Sequence, residues 1–234
     1  LSRIGTLKEK HMYRMIGAAA VGLLACAAAG AHYPFVVPDE NGQSAKVVFS
    51  DTLSPDTDVN VEKIGNTKLT LRDAGGKESE LEWKKDTGFY AVNVPGVGDR
   101  VVYGVTDYGV LQRGDDKPFK LAYYPKAAFG AAAAKPVGEK LPLEVAAEGG
   151  TAGKVRFRVL AAGKPVAESE LMVIRPDGTK KALKTDKDGY TTPFEGAGRY
   201  GVYAKRVEVK AGEQAGKKYD EIRSYATLVC DVAK

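Results

Sequence analysis

The chain holds two histidines, His11 and His32, and two cysteines, Cys26 and Cys230, and these four side chains bound the metal, redox and nucleophilic chemistry open to it. His32 stands in "AGAHYPFVVPD", directly after the small-x-small triplet Ala29-Gly30-Ala31. A cut after Ala31 would make His32 the first residue. Its free α-amine and imidazole Nδ1 could then close a chelate ring on one divalent ion, a donor pair that suits nickel, cobalt or copper. A second histidine is missing after such a cut, so a two-histidine brace and the multi-histidine zinc sites of hydrolases are excluded. Ser-His-Asp and Cys-His arrangements are excluded too, unless His32 itself is the base. Any further metal ligands would have to be carboxylates, carbonyls, water, tyrosine or Cys230. The plainer reading is that His32 follows the cleavage site and starts the strand "YPFVV".

The remaining motifs read as structure. Cys230 lies in "ATLVCDV", where alternation puts Ala226, Leu228, Cys230 and Val232 on one strand face, as a buried structural thiol. "GAGRYG" (Gly196, Gly198, Gly201) matches a dinucleotide fingerprint by letters, but "RYGVYAKRVEV" continues as a strand where a helix is required. "KTDKDGYTTPFE" can be laid on a calcium loop, yet Lys184 occupies the first ligand position, so a solvated hairpin turn is the better reading. Tyr103, Tyr108, Tyr123 and Tyr124 are candidates for a carbohydrate-binding aromatic face. Carboxylates are scattered through turns with no acid/base pair to single out. Nothing in these residues argues for an enzyme.

These residues have to be positioned by a chain that begins with an export signal. Residues 16–31 carry no charge and follow Lys8, Lys10 and Arg14. A basic region, a short apolar run and a small-x-small end describe a secretory leader, with translation expected from Met12 or Met15. The apolar run is too short and too rich in Ala and Gly to span a bilayer, which takes about 20 strongly apolar residues. "LLAC" offers a second processing site, with Cys26 as a lipid attachment point, although the triplet before His32 is the cleaner match. Either route exports the chain, to the periplasm or beyond, or to a lipid anchor at Cys26. The whole chain carries a formal +5, but the leader holds four of the basic residues and one acidic residue, so 31 basic and 29 acidic residues remain, a net +2. Near balance with no basic stripe argues against nucleic acid as a partner. The mature chain contains no transmembrane-helix pattern.

After the leader almost every periodic segment has period two. "KVRFRVL" points Val155, Phe157 and Val159 inward, "KLTLRD" buries Leu69 and Leu71, and "ELEWKK" buries Leu81 and Trp83. Turn chemistry separates such segments at Asn41-Gly42, Asp73-Ala74-Gly75-Gly76, Pro95-Gly96, Pro176-Asp177-Gly178 and Asp188-Gly189. No sustained 3.6-residue stripe interrupts them. The expected fold is all-β, built of antiparallel sandwiches. "KAAFGAAAAKPVGEKLP", residues 126–142, shows no face to bury and is expected to be a linker. The expected order is therefore leader (1–31), first sandwich (32–125), linker (126–142) and second sandwich (143–234).

The second half, with Gly163-Lys164-Pro165-Val166, Pro176-Asp177-Gly178, Thr185-Asp186-Lys187-Asp188-Gly189 and Gly198-Arg199-Tyr200, resembles the prealbumin-like, or carboxypeptidase-regulatory, type of bacterial immunoglobulin-like repeat. In that register Tyr200, Val202 and Ala204 form an inward-facing set. The whole mature chain, through "AHYPFVVPD", "KVVFSDTLSPD", "KLTLRD" and "YATLVCDV", is similar to a family of exported bacterial proteins of unknown function. That family is described as nickel-uptake substrate-specific or periplasmic nickel/cobalt-transport accessory proteins. The resemblance implies two β-sandwich units, a divalent transition metal as ligand, and a metal-transporter membrane component or another envelope protein as partner. It carries over only His32 as a metal ligand. A different class of function, a structural or protein-interaction module of the envelope with no metal dependence, fits the same strands.

Overall fold

The computed structural model describes residues 32–130 and 134–234; the leader, the expected cut after Ala31 and Cys26 lie outside them. The first half of the chain forms β1 (Tyr33–Pro38), β2 (Ser44–Ser50), β3 (Lys68–Arg72), β4 (Glu78–Leu81), β5 (Trp83–Asp86), β6 (Phe89–Asn93), β7 (Arg100–Leu111) and β8 (Phe119–Phe129). The second half forms β9 (Glu144–Thr151), β10 (Lys154–Ala161), β11 (Lys164–Pro165), β12 (Glu170–Ile174), β13 (Lys180–Lys184), β14 (Phe194–Glu195), β15 (Gly198–Gln214) and β16 (Lys217–Val232). Two short 3₁₀ turns, Val61–Ile64 and Gly138–Lys140, complete the regular structure. The protein is an all-β sandwich, as its alternation requires.

The strands make three sheets. One has the order β1-β2-β6-β5, and a second is built on β10 with β9, β11 and β14. The third runs β13-β12-β15-β16-β8-β7-β3-β4 and takes four strands from each half. Its seam is the β8–β16 pair, which is parallel and runs from Phe119 opposite Glu221 to Ala127 opposite Val229. All other named pairings are antiparallel.

Alternation along β8 and β16 shows what this large sheet does. Phe119, Leu121 and Tyr123 enter one core with Phe35, Val48, Leu69 and Val102, under the β1-β2-β6-β5 sheet. Ala122, Tyr124 and Ala128 enter the other, with Val155, Phe157, Tyr200, Leu228 and Cys230, under the β9–β10 sheet. The large sheet is thus the shared middle layer of two sandwiches, and strands buried on both faces read as near-continuous apolar runs. Three expected inward sets hold in the second half: Val155, Phe157 and Val159, Tyr200, Val202 and Ala204, and Ala226, Leu228, Cys230 and Val232 are all buried.

The expected linker is a correction. Lys126–Phe129 is the end of β8, and Ala134, Val137 and Leu141 are buried in the second core. In sequence the run of small side chains mimics a flexible spacer, but Ala127, Ala128 and Ala134 are buried. Lys126 Nζ and Glu144 Oε2, both fully buried, lie 2.9 Å apart, and Glu144 also accepts the backbone N–H of Val137 (3.0 Å) and of Gly138 (3.1 Å). Burial pushes the Lys126 ammonium below its ordinary pKa, with Glu144 opposing that shift. From outside, the Arg72 guanidinium donates to the carbonyls of Pro136 (3.4 Å) and Val137 (3.3 Å). The stretch is fastened at both ends, and the two halves form one body.

A second departure lies in "ELEWKK". Leu81 ends β4 in the large sheet and Trp83 begins β5 in the small one, so the chain changes sheets at Glu82. Leu81 is buried as expected, whereas Trp83 is only half-buried and stacks on Tyr90 at 4.3 Å between ring centroids.

Candidate functional site

His32 stands immediately before β1, so its position is set by the strand that covers the seam of the large sheet. The β1 backbone is anchored there: Thr227 Oγ1, on β16, donates to the Pro34 carbonyl at 2.6 Å. The imidazole is about a quarter exposed, and its Nε2 lies 3.0 Å from Asp56 Oδ2. Asp56 is itself held by its loop, since its Oδ1 accepts the Asp58 backbone N–H at 3.0 Å. In the neutral ring this bond places the proton on Nε2 and leaves the Nδ1 lone pair open. Asp51, nearby, has its carboxyl held below the usual range, chiefly by its hydrogen bond from Lys180. Among the described residues no three His, Cys, Asp or Glu side chains are grouped so as to hold a metal ion.

Beside His32 opens a cavity of about 390 Å³ between the two sheets of the first sandwich. Its floor is aromatic. Tyr33 comes from β1, Phe49 from β2, Tyr108 from β7, Tyr123 from β8 and Tyr225 from β16. Tyr123 is the hub, meeting Tyr108 edge-on at 5.6 Å, Phe49 edge-on at 6.0 Å and Tyr225 at 5.8 Å between centroids. Such edge-to-face contacts match the positive rim of one ring to the negative face of the next. Tyr108 is placed there by a bulge. The β7–β8 register slips between Asp107 and Gly109, Gly109 has φ +97°, and Tyr108 is the extra residue. Bulges beside sites commonly re-aim one side chain in this way. Burial pushes the Tyr33 and Tyr123 phenols far above their ordinary pKa, and those of Tyr108 and Tyr225 are raised by the same cause, so all four stay neutral donors at pH 7.

The rim of the cavity is charged. Arg223 is locked, paired with Glu221 at 2.6 Å and Asp116 at 2.9 Å, and its guanidinium lies 3.7 Å above the centre of the Phe119 ring. Lys63, on the first 3₁₀ turn, and Arg113, at the tip of the β7–β8 hairpin, are exposed.

The other sequence candidates lie elsewhere. Tyr103 and Tyr124 point into the second core, so the four tyrosines considered for a carbohydrate face are split between the two sides of the large sheet. Cys230 is buried, and loss of solvent pushes its thiol up to about 12. The "KTDKDG" stretch is a turn in which Asp186 Oδ1 accepts the backbone N–H of Asp188 and Tyr190, each at 2.9 Å. "GAGRYG" runs into β15, as its sequence requires. Asp56, Arg113 and Tyr225 carried no signal that sequence spacing could connect to His32.

No family model matches the chain, and no curated protein matches it. Among solved structures it is similar to a pullulanase from Anoxybacillus sp. LM18-11, at 17% identity over 74% of this chain and 23% of that one, with a TM-score of 0.20. It is also similar to a two-domain fibronectin type-III segment of chicken tenascin, at 14% identity over 82% and 93% of the two chains and a TM-score of 0.22. A third, the D0-D1 domain of intimin, is 13% identical over 80% and 88%, with a TM-score of 0.20. The chain spans under a quarter of the pullulanase's length. No helix among the described residues is long and apolar enough to cross a membrane.

Proposed function

We propose that this chain is an exported, non-enzymatic protein of the bacterial envelope that takes up a divalent transition metal at His32, as an accessory to nickel or cobalt uptake. The observation that supports the reading is the bond from His32 Nε2 to Asp56. Metal-binding histidines characteristically donate their second ring nitrogen to a carboxylate, which fixes the tautomer and raises the basicity of the ligating nitrogen. Here that leaves Nδ1 as the open donor, the nitrogen that forms a chelate ring with the α-amine of the same residue. With Asp56 engaged at Nε2, the protein supplies two donors and water fills the rest. Such an open, exchangeable site suits hand-over to a transporter better than storage.

The test compares nickel and copper titrations of four proteins: the chain beginning at His32, the same chain with one added N-terminal alanine, His32→Ala, and Asp56→Asn. Binding is expected in the first alone at full strength, with Asp56→Asn weakened about tenfold. Equal affinity in all four refutes the reading. The alternative, an interaction module without metal dependence, draws support from β15. Beyond Ala204 this strand has β16 on one side and no named strand on the other, and Val209 there is 93% exposed. It predicts a protein partner captured by the wild type, in the presence of chelator, and lost on Val209→Lys.

A further inference from the structure

We infer that the cavity beside His32 is a binding site for a small aromatic carboxylate, an activity separate from metal uptake and independent of it. Size comes first: about 390 Å³ lies within the range of small-ligand pockets, roughly 300–1,000 Å³. The floor comes second. Phe49, Tyr108, Tyr123 and Tyr225 present ring faces and edges converging from four strands, a surface that a planar π-system covers with offset-stacked or edge-to-face contacts.

Charge decides between ligand classes. Arg223 is already engaged by Glu221 and Asp116, but Lys63 and Arg113 have no ion pair among the described residues. Of the charged residues that line the cavity, Lys63, Arg113 and Arg223 are basic and Asp58 is acidic, while the two carboxylates paired with Arg223, Glu221 and Asp116, are not part of the lining. The Arg113 guanidinium lies close enough to the floor to oppose the burial-driven rise at Tyr108, Tyr123 and Tyr225. An anion at the rim would therefore meet a planar guanidinium that can grip both oxygens of one carboxylate, with an ammonium beside it. A neutral sugar would use the rings but leave both cations unanswered. A saturated anion would answer the cations and leave the floor bare.

The experiment titrates EDTA-treated protein with benzoate, with glucuronate (charge without a ring), with benzyl alcohol (ring without charge) and with maltose, followed by calorimetry and ligand-observed NMR. Benzoate is expected to bind most tightly, with affinity falling as salt rises. Arg113→Gln and Lys63→Gln, both exposed and outside the cores, should each weaken it about tenfold, the value of a lost charge-assisted contact. One added N-terminal alanine before His32, which blocks the α-amine of the proposed metal chelate and changes no side chain lining the cavity, should leave benzoate affinity within about twofold. The inference is overturned if glucuronate, benzyl alcohol or maltose equals benzoate, if Arg113→Gln changes nothing, or if no probe binds at millimolar concentration.

Discussion

Replacing Lys126 by methionine tests whether the buried ion pair holds the two halves together. Lys126 Nζ and Glu144 Oε2 are 2.9 Å apart and both side chains are wholly excluded from water. At an effective dielectric of about 20 this separation corresponds to roughly 6 kcal/mol of attraction. Against it stands the desolvation of two ions, several kcal/mol each, which Glu144 recovers in part through the N–H groups of Val137 and Gly138. Lys126→Met removes the attraction and leaves a carboxylate buried with two neutral donors, at an expected cost of about 3–5 kcal/mol. Adding Glu144→Gln removes the stranded charge while keeping an oxygen for the two backbone donors. The double variant should therefore be about 1–2 kcal/mol more stable than Lys126→Met alone. Urea denaturation at pH 7 measures this, following Trp83 fluorescence for the first sandwich and far-ultraviolet circular dichroism for the whole chain. The two probes should give one coincident transition in the wild type. A cost below about 1 kcal/mol for Lys126→Met, or a double variant that loses the sum of the two single losses, refutes the reasoning.

Residues 32–130 produced alone should not fold, because β8 would lose β16 and the Ala122, Tyr124 and Ala128 face would lie open to water; a dispersed amide spectrum from that fragment would contradict the shared-sheet architecture. Acid sensitivity should run partly through Glu78, whose carboxyl is held down at about 2 by Lys140 first, then Arg72 and Tyr103. Because its folded pKa lies below the ordinary 4.5, its contribution to stability is present above pH 4.5 and is lost as pH falls from there toward 2. Thermal midpoints measured from pH 6 to 2.5 should therefore fall less steeply for Glu78→Gln than for the wild type, and parallel curves would exclude this role.

Period-two alternation was enough to locate the strands and to say which side chains turn inward, because a strand's faces follow from its own residues. It cannot say what covers each face. In "FKLAYYPKAAF" both faces are mostly apolar or small, which is the mark of a strand covered on both sides; of its two lysines, Lys120 is partly exposed beside Asp107, whereas Lys126 is wholly buried and needs a buried partner. Glu144 supplies that partner from across the alanine-rich stretch, where composition alone suggests a spacer. The inward sets of β10, β15 and β16 were legible for the same reason that the shared sheet was not: each needs only local spacing, whereas the β8–β16 seam joins residues about a hundred positions apart.

The same seam explains why His32, Tyr108 and Tyr123 stood out in the sequence as separate candidates but not as parts of one site. His32 stands out by scarcity, but its partner Asp56 sits in an irregular loop with no spacing rule linking the two. Tyr33, Tyr108 and Tyr123 belong to the first half of the chain and Tyr225 and Arg223 to the last strand. Divided at residue 126 into two independent sandwiches, the chain would have no such cavity, because β16 would have no reason to lie beside β8. Parallel insertion of β16 at that edge buries the second core on one face and brings Tyr225 and Arg223 to the cavity on the other. Anything that loosens the seam should therefore disturb the proposed binding of an aromatic anion through Tyr225 and Arg223, and His32 with it, because β1 is anchored on β16 by the bond from Thr227 to the Pro34 carbonyl.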